Sequence, residues 1–156
     1  MNRWIQWLAG TAGLLGAALT AADPPADVMT IVRTSDVKWT QESSIPGLQT
    51  AVVAGDPKVA GQPYVIRVKF APGTMSPPHF HPETRYIMVL RGTWWVGAGP
   101  KWDRDATTPL PAGTFVVHHA KHIHYDGAKA EEVELQIVGV GPSEMIRVDP
   151  AGNPLH

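Results

Sequence analysis

A chain of 156 residues has room for one domain with a real core and too little for two of ordinary size. With 13 Lys+Arg against 14 Asp+Glu and a net charge of −1, it lacks the basic excess that marks nucleic-acid binding. The chain has no cysteine, which rules out disulfides and thiolate metal sites, so any metal must be held by nitrogen and oxygen.

In chain order, the first feature is a leader. Arg3 precedes a run of apolar and small residues, which ends at Thr20-Ala21-Ala22 before a polar, proline-containing stretch. That order predicts a secretory signal peptide over residues 1–22, leaving 23–156 as the mature domain. Gly10, Gly13 and Gly16 favour cleavage over a retained anchor, so contact with a membrane is expected only through an uncleaved leader. No arginine pair marks a twin-arginine signal, and the expected destination is the periplasm or the exterior.

Beyond Pro25 short apolar runs alternate with Gly, Pro, Asp and Asn, and no long 3.6-residue repeat occurs. This predicts an all-β domain with strands over 29–33, 48–53, 64–70, 85–90, 93–96, 113–117, 122–126, 133–138 and 145–148. Tyr64, Ile66, Val68 and Phe70 alternate with Arg67 and Lys69, and Val133, Leu135 and Ile137 alternate with Glu132, Glu134 and Gln136. Each of these strands should bury one face and wet the other, as in a sandwich or small barrel. Residues 97–111 read as the longest irregular piece, flanking the mouth of the barrel. Trp94 and Trp95 are adjacent, so one must face inward. Tyr86 and Tyr125 read as packing residues, and Phe115 as core.

Six of the seven histidines fall in two groups, His79 and His81, then His118, His119, His122 and His124. On a strand, residues i and i+2 share a face about 6.6 Å apart, and their imidazoles can converge on one ion. His79 and His81 therefore form a chelating pair by stereochemistry, or two surface histidines by chance. A third histidine from the later group would complete a facial set with open positions. Periodicity does not say which of the four supplies it.

The two groups sit in motifs that resemble those of the cupin family. Gly73, His79, His81, Arg85 and Gly92 keep the spacing of the first cupin motif, with arginine where the family has glutamate. Gly113 and His124 keep the spacing of the second, with His119 and Lys121 in place of its proline and glycine. The resemblance spans roughly residues 36–150, taken as the domain core. It implies a double-stranded β-helix, the jelly-roll cupin barrel, with His79, His81 and His124 as metal ligands inside it. Edge-to-edge homodimers are also part of what it implies.

The arginine leaves two readings. Arg85 shares strand parity with His79 and His81, and a guanidinium about 5 Å from a dication is repelled by roughly 6–7 kcal/mol at an effective dielectric of 20. Either it turns away, pairing with Glu83 or another acid, or an anion of the substrate lies between it and the metal. Glu83, after Pro82, is the alternative fourth ligand. His122 shares parity with His124, and His118 ends the preceding strand; either is a candidate acid or base, or a partner that orients a ligand ring.

The expected protein is an exported metal-binding cupin, a mononuclear oxygenase-type enzyme acting on a small organic molecule that could be anionic. Iron is the favoured ion among divalent transition metals, with manganese, zinc, nickel and copper behind it; some cupin dioxygenases use three histidines. Isomerase or lyase chemistry fits nearly as well. The competing reading is a barrel that binds a small ligand or metal without turning it over, and the changed second motif leaves room for a purely structural role. Lys121 weighs on that side, because glycine in such a turn relieves a constraint that lysine does not.

Overall fold

A computed structural model describes residues 22–155. The chain divides into two units, Met1–Ile31 and Val32–His156. The expected leader lies outside the described residues except for Ala22. In the first unit the described part is a turn in which the Val28 amide donates to the Pro25 carbonyl at 3.0 Å. Among the described residues, the second unit holds the β structure and one 3-10 turn, Thr34–Asp36. No helix among the described residues is long and apolar enough to cross a membrane.

Eleven strands follow in the second unit: β1 Thr40–Gln41, β2 Leu48–Ala54, β3 Pro63–Phe70, β4 His79–Phe80, β5 Arg85–Arg91, β6 Thr93–Ala98, β7 Thr108–Pro111, β8 Phe115–His118, β9 His124–Gly127, β10 Val133–Val140 and β11 Ile146–Arg147. They form a six-stranded sheet in the order β1-β2-β3-β10-β5-β8 and a five-stranded sheet in the order β11-β4-β9-β6-β7. Every pairing is antiparallel. This is the expected all-β jelly roll.

The alternation seen in the sequence sets the register of the first sheet. Val68 opposes Leu135 and Ile66 opposes Ile137 across β3 and β10, while Ile87 opposes Ile137 across β10 and β5. Leu48, Val68, Phe70, Ile87, Val89, Trp94, Val133, Leu135 and Ile137 meet in one buried cluster between the sheets. On the outer face Arg67 pairs with Glu134 at 3.4 Å. Gly92 carries the chain from β5 in one sheet to β6 in the other. Its φ is +74°, and a Cβ there would meet the Glu132 carbonyl oxygen at 2.2 Å, so only glycine fits this corner.

Three sequence readings need correction. No strand forms over 29–33, which is irregular chain between a turn at 26–28 and the 3-10 turn Thr34–Asp36. Residues 97–111 are not wholly irregular: β7 pairs with β6 at the sheet edge, where Pro109 and Pro111 need no ladder donor. Phe115 is 57% exposed and is not core; it stacks at 6.5 Å on Tyr86, which is itself exposed. Both lie on the outer face of β5 and β8, the face opposite Ile87. Tyr125 packs as expected, buried against Gly97.

Lys121 has a φ of +64°, a left-handed conformation that costs a residue with a Cβ about 1–2 kcal/mol. The constraint anticipated at this turn is therefore present, and lysine bears it. Its amide donates to the His81 carbonyl at 2.8 Å, a bond that a glycine would keep. Lys121→Gly is expected to stabilise the fold by about 1 kcal/mol, after its own entropic cost, and to raise the melting temperature by about 2–4 °C. A thermal melt that shows no gain, or a loss, would mean that the lysine side chain makes a compensating contact.

Candidate metal centre

The cavity between the sheets has a volume of about 570 Å³. Its lining combines aliphatic residues and Phe70 with a group of histidines, Arg85 and Asp126, and further charged residues such as Lys58 and Arg147. Four strands deliver the histidines and Arg85. His79 on β4 lies directly across from His124 on β9 in the five-stranded sheet. In the other sheet Arg85 on β5 lies across from His118 on β8. His81 is just past the end of β4, and its ring still turns inward.

His79, His81 and His124 are buried, at 1%, 5% and 7% exposure. Their ring centroids are 4.9, 4.4 and 5.3 Å apart, and one nitrogen from each lies within 4.8 Å of the other two. Each Nδ1 meets a backbone carbonyl: His79 at Pro77 (2.8 Å), His81 at Glu144 (2.7 Å) and His124 at His122 (3.0 Å). A carbonyl only accepts, so each Nδ1 carries the proton and each Nε2 keeps its lone pair. Three neutral imidazoles pointed by backbone carbonyls are the arrangement of histidine metal ligands. The donor set therefore fits a divalent transition ion.

Electrostatics agree with a neutral set. Burial pushes His79 down to about 4 and, with the Arg85 charge second, drives His81 far below the usual imidazole range. Burial also lowers His124, although Asp126 opposes it.

Arg85 does not turn away. It is 7% exposed, lines the cavity, and places Nη1 2.5 Å from His81 Nε2 and 3.0 Å from its Nδ1. Burial lowers its pKa. Glu83 stands outside the three-histidine cluster; its Oε1 accepts a hydrogen bond from the Tyr64 hydroxyl at 2.9 Å, and Oε2 is buried without a partner among the described residues. Pro82 ends the strand register, which is why parity does not place Glu83.

His122 is also displaced from its expected role. β9 begins at His124, so the i, i+2 rule does not extend back to 122, which sits exposed in the turn with Nδ1 3.0 Å from the Ala120 carbonyl. His118 takes the place beside the cluster, its ring 4.0 Å from that of His124. Burial and the neighbouring His124 push it down to about 3.

Asp126 escaped the sequence reading altogether. It lies two residues after His124 on the same face of β9, so the pattern H-Y-D carried the signal. Its Oδ2 accepts from the Trp94 indole at 3.1 Å, and its Oδ1 from the Ser76 hydroxyl. Trp94 is thus the inward member of the tryptophan pair, while the Trp95 ring faces the Lys129 ammonium at 4.0 Å. Burial alone would raise the Asp126 carboxyl, but His79, His124, His118 and the Ser76 bond outweigh it and hold the pKa below the ordinary value.

A pH prediction follows for protein kept free of metal. His79 and His118 have native values of about 4 and 3 against the ordinary 6.5. Between about pH 6.5 and 4 the unfolded chain takes up protons that the folded one refuses, so stability is lost as pH falls through that window, at about 1.4 kcal/mol for each unit of difference. Melting in chelator from pH 7.5 to 4.5 is expected to show a steep fall in melting temperature, flattened by His118→Gln. A melting temperature constant down to pH 5 would contradict the burial of these rings as neutral groups.

Among solved structures the fold is similar to the polyketide cyclase RemF from Streptomyces resistomycificus, at 20% identity and a TM-score of 0.62 over 78% of this chain and 89% of that one. It is also similar to a cupin-fold protein of unknown function from Ralstonia eutropha JMP134 (19% identity, TM-score 0.64, 88% and 78% covered). A third similar structure is the DMSP lyase DddQ from Ruegeria pomeroyi DSS-3 (14% identity, TM-score 0.59, 76% and 64% covered). At these identities the likeness is one of fold. No curated protein matches the sequence. Residues 27–144 match the ChrR cupin-like domain, most of the chain and both histidine groups within it, and the protein belongs to that family of cupins.

Proposed function

We propose that this cupin is an exported, mononuclear metal-dependent enzyme of the oxygenase type, acting on a small organic molecule in the cavity between its sheets. The observation that carries the proposal is the set of three Nδ1-to-carbonyl bonds, which points three Nε2 lone pairs of His79, His81 and His124 toward one another. Iron is the favoured ion. Bound there by neutral ligands, it would keep its full charge as a Lewis acid and bring access to dioxygen chemistry.

The chain's own residues supply the rest. Leu135, Ile137 and their neighbours give the substrate an apolar wall and exclude water, as small-molecule sites commonly do. His118, neutral at pH 7, offers ring nitrogens beside His124 for hydrogen bonding to the substrate. Arg85 provides fixed positive charge in the same cavity.

A second reading is a module that binds a ligand or metal without turnover. It is favoured by the Arg85 Nη1 contact with His81 Nε2, since that donor and a metal compete for one lone pair. Oxygen-electrode measurements on protein loaded with ferrous iron, with a panel of small aromatic and aliphatic acids and alcohols, separate the two. Substrate-dependent oxygen uptake lost in His81→Ala supports the enzyme. Saturable binding across the panel with no uptake and no product would leave the module.

A further inference from the structure

The three-histidine centre does not account for Arg85. This guanidinium is nine-tenths buried and lines the cavity, and its Nε has no hydrogen-bond partner among the described residues. A buried charge left partly unpaired is costly and needs a partner to justify it. Behind it stand Tyr64 and Glu83, which do not line the cavity: Tyr64 donates to Glu83 Oε1 at 2.9 Å and approaches the Ser143 hydroxyl at 3.1 Å. That network backs Arg85 from the wall, while its Nη1 touches His81 and its Nε holds no partner among the described residues.

The charges around Arg85 give a second, independent constraint. Glu83 and Asp126 are the acids that act on Arg85 from the wall and from β9. Both oxygens of Asp126 already hold donors, from Trp94 and Ser76, and Oε1 of Glu83 holds Tyr64. Neither acid is hydrogen-bonded to the guanidinium among the described residues, so a negative charge on the entering molecule would meet it directly. A carboxylate brings it as a planar pair of oxygens, the shape that matches the guanidinium fork. The same cavity is walled by Leu48, Val68, Ile87, Leu135 and Ile137, an apolar surface against which the body of the molecule can lie.

We propose that Arg85 is the carboxylate-recognising residue of this cavity and that the substrate class is a small monocarboxylic acid with an apolar body. The carboxylate docks on Arg85 beside the three histidines, and the body lies against the aliphatic wall. Tyr64 and Glu83 are positioning residues for the guanidinium. The inference rests on reading the site as a metal-holding substrate cavity, and it names what that cavity takes.

The test is calorimetric titration of zinc-loaded and chelator-treated protein with acetate, hexanoate and benzoate, each against its uncharged amide. Wild type is expected to bind at least one acid saturably and to prefer it to its amide by about tenfold or more, the range of charge-assisted hydrogen bonds. Arg85→Lys keeps the charge but loses the fork and is expected to weaken the acid by about tenfold or more while zinc stays bound. Arg85→Gln is expected to abolish the preference for acid over amide. Amides that bind as tightly as acids in wild type, which needs no variant to fold, would overturn the assignment, as would unchanged acid affinity in Arg85→Lys or no binding of any acid in either form. If the protein holds no zinc yet binds an acid through Arg85, the carboxylate subsite stands and the metal reading fails.

Discussion

Alanine at position 79 or 124 is expected to lower metal affinity by more than about a hundredfold. Loss of a group that merely orients a ligand costs about 10–100-fold, and loss of the ligand itself costs at least as much. His79 and His124 are direct cross-strand partners in a hydrogen-bonded ladder, with rings 4.4 Å apart, and each is aimed by its own carbonyl. Among the described residues the three-histidine cluster does not include His118, which comes from the opposite sheet, or His122, which is exposed in a turn. The measurement is competition against a chromophoric chelator on protein purified without a histidine tag, with His119→Ala as an exposed control. Wild-type metal content in both folded variants would remove the three-histidine centre and the proposed function with it.

The largest effect on stability is expected at Trp94. Its side chain is fully buried, it belongs to the cluster between the sheets, and its indole N–H is one of the two donors that neutralise the buried Asp126. Trp94→Ala removes the packing, at about 3–5 kcal/mol. It also strands Oδ2 of a buried carboxylate, at about 1–3 kcal/mol or more. The sum approaches the whole stability of a domain this size, so the variant is expected to be unfolded or molten at 25 °C. Trp94→Phe keeps most of the volume and loses only the donor, and urea denaturation is expected to show a loss of about 1–3 kcal/mol. If Trp94→Phe costs nothing, Asp126 does not depend on the indole.

How far these features could be read from the sequence depends on how far strand periodicity reaches. Arg85 faces inward because it begins β5, where alternation with Ile87 and Val89 is unbroken. His79 and His81 come together although β4 is only two residues long, because the spacing of the pair survives the strand's end. Past such ends the rule gives out. Parity led to His122, but the chain has already turned at Lys121, so His118 holds the place beside His124. Phe115 looked like core because it is large and apolar, yet β8 is an edge strand and its position alternates with the inward Val116. Asp126 was overlooked because one aspartate on a strand is ordinary; only the indole and hydroxyl that converge on it from β6 and the segment before β4 reveal its place.

The Glu144 carbonyl that orients His81 comes 63 positions later in the chain, and β11, which pairs with β4, comes later still. During synthesis, His81 emerges long before the carbonyl that aims it, and His79 long before the strand that pairs with β4. A growing polypeptide therefore cannot assemble the chelate as it is made. Metallation becomes a step that follows completion and folding of the C-terminal stretch.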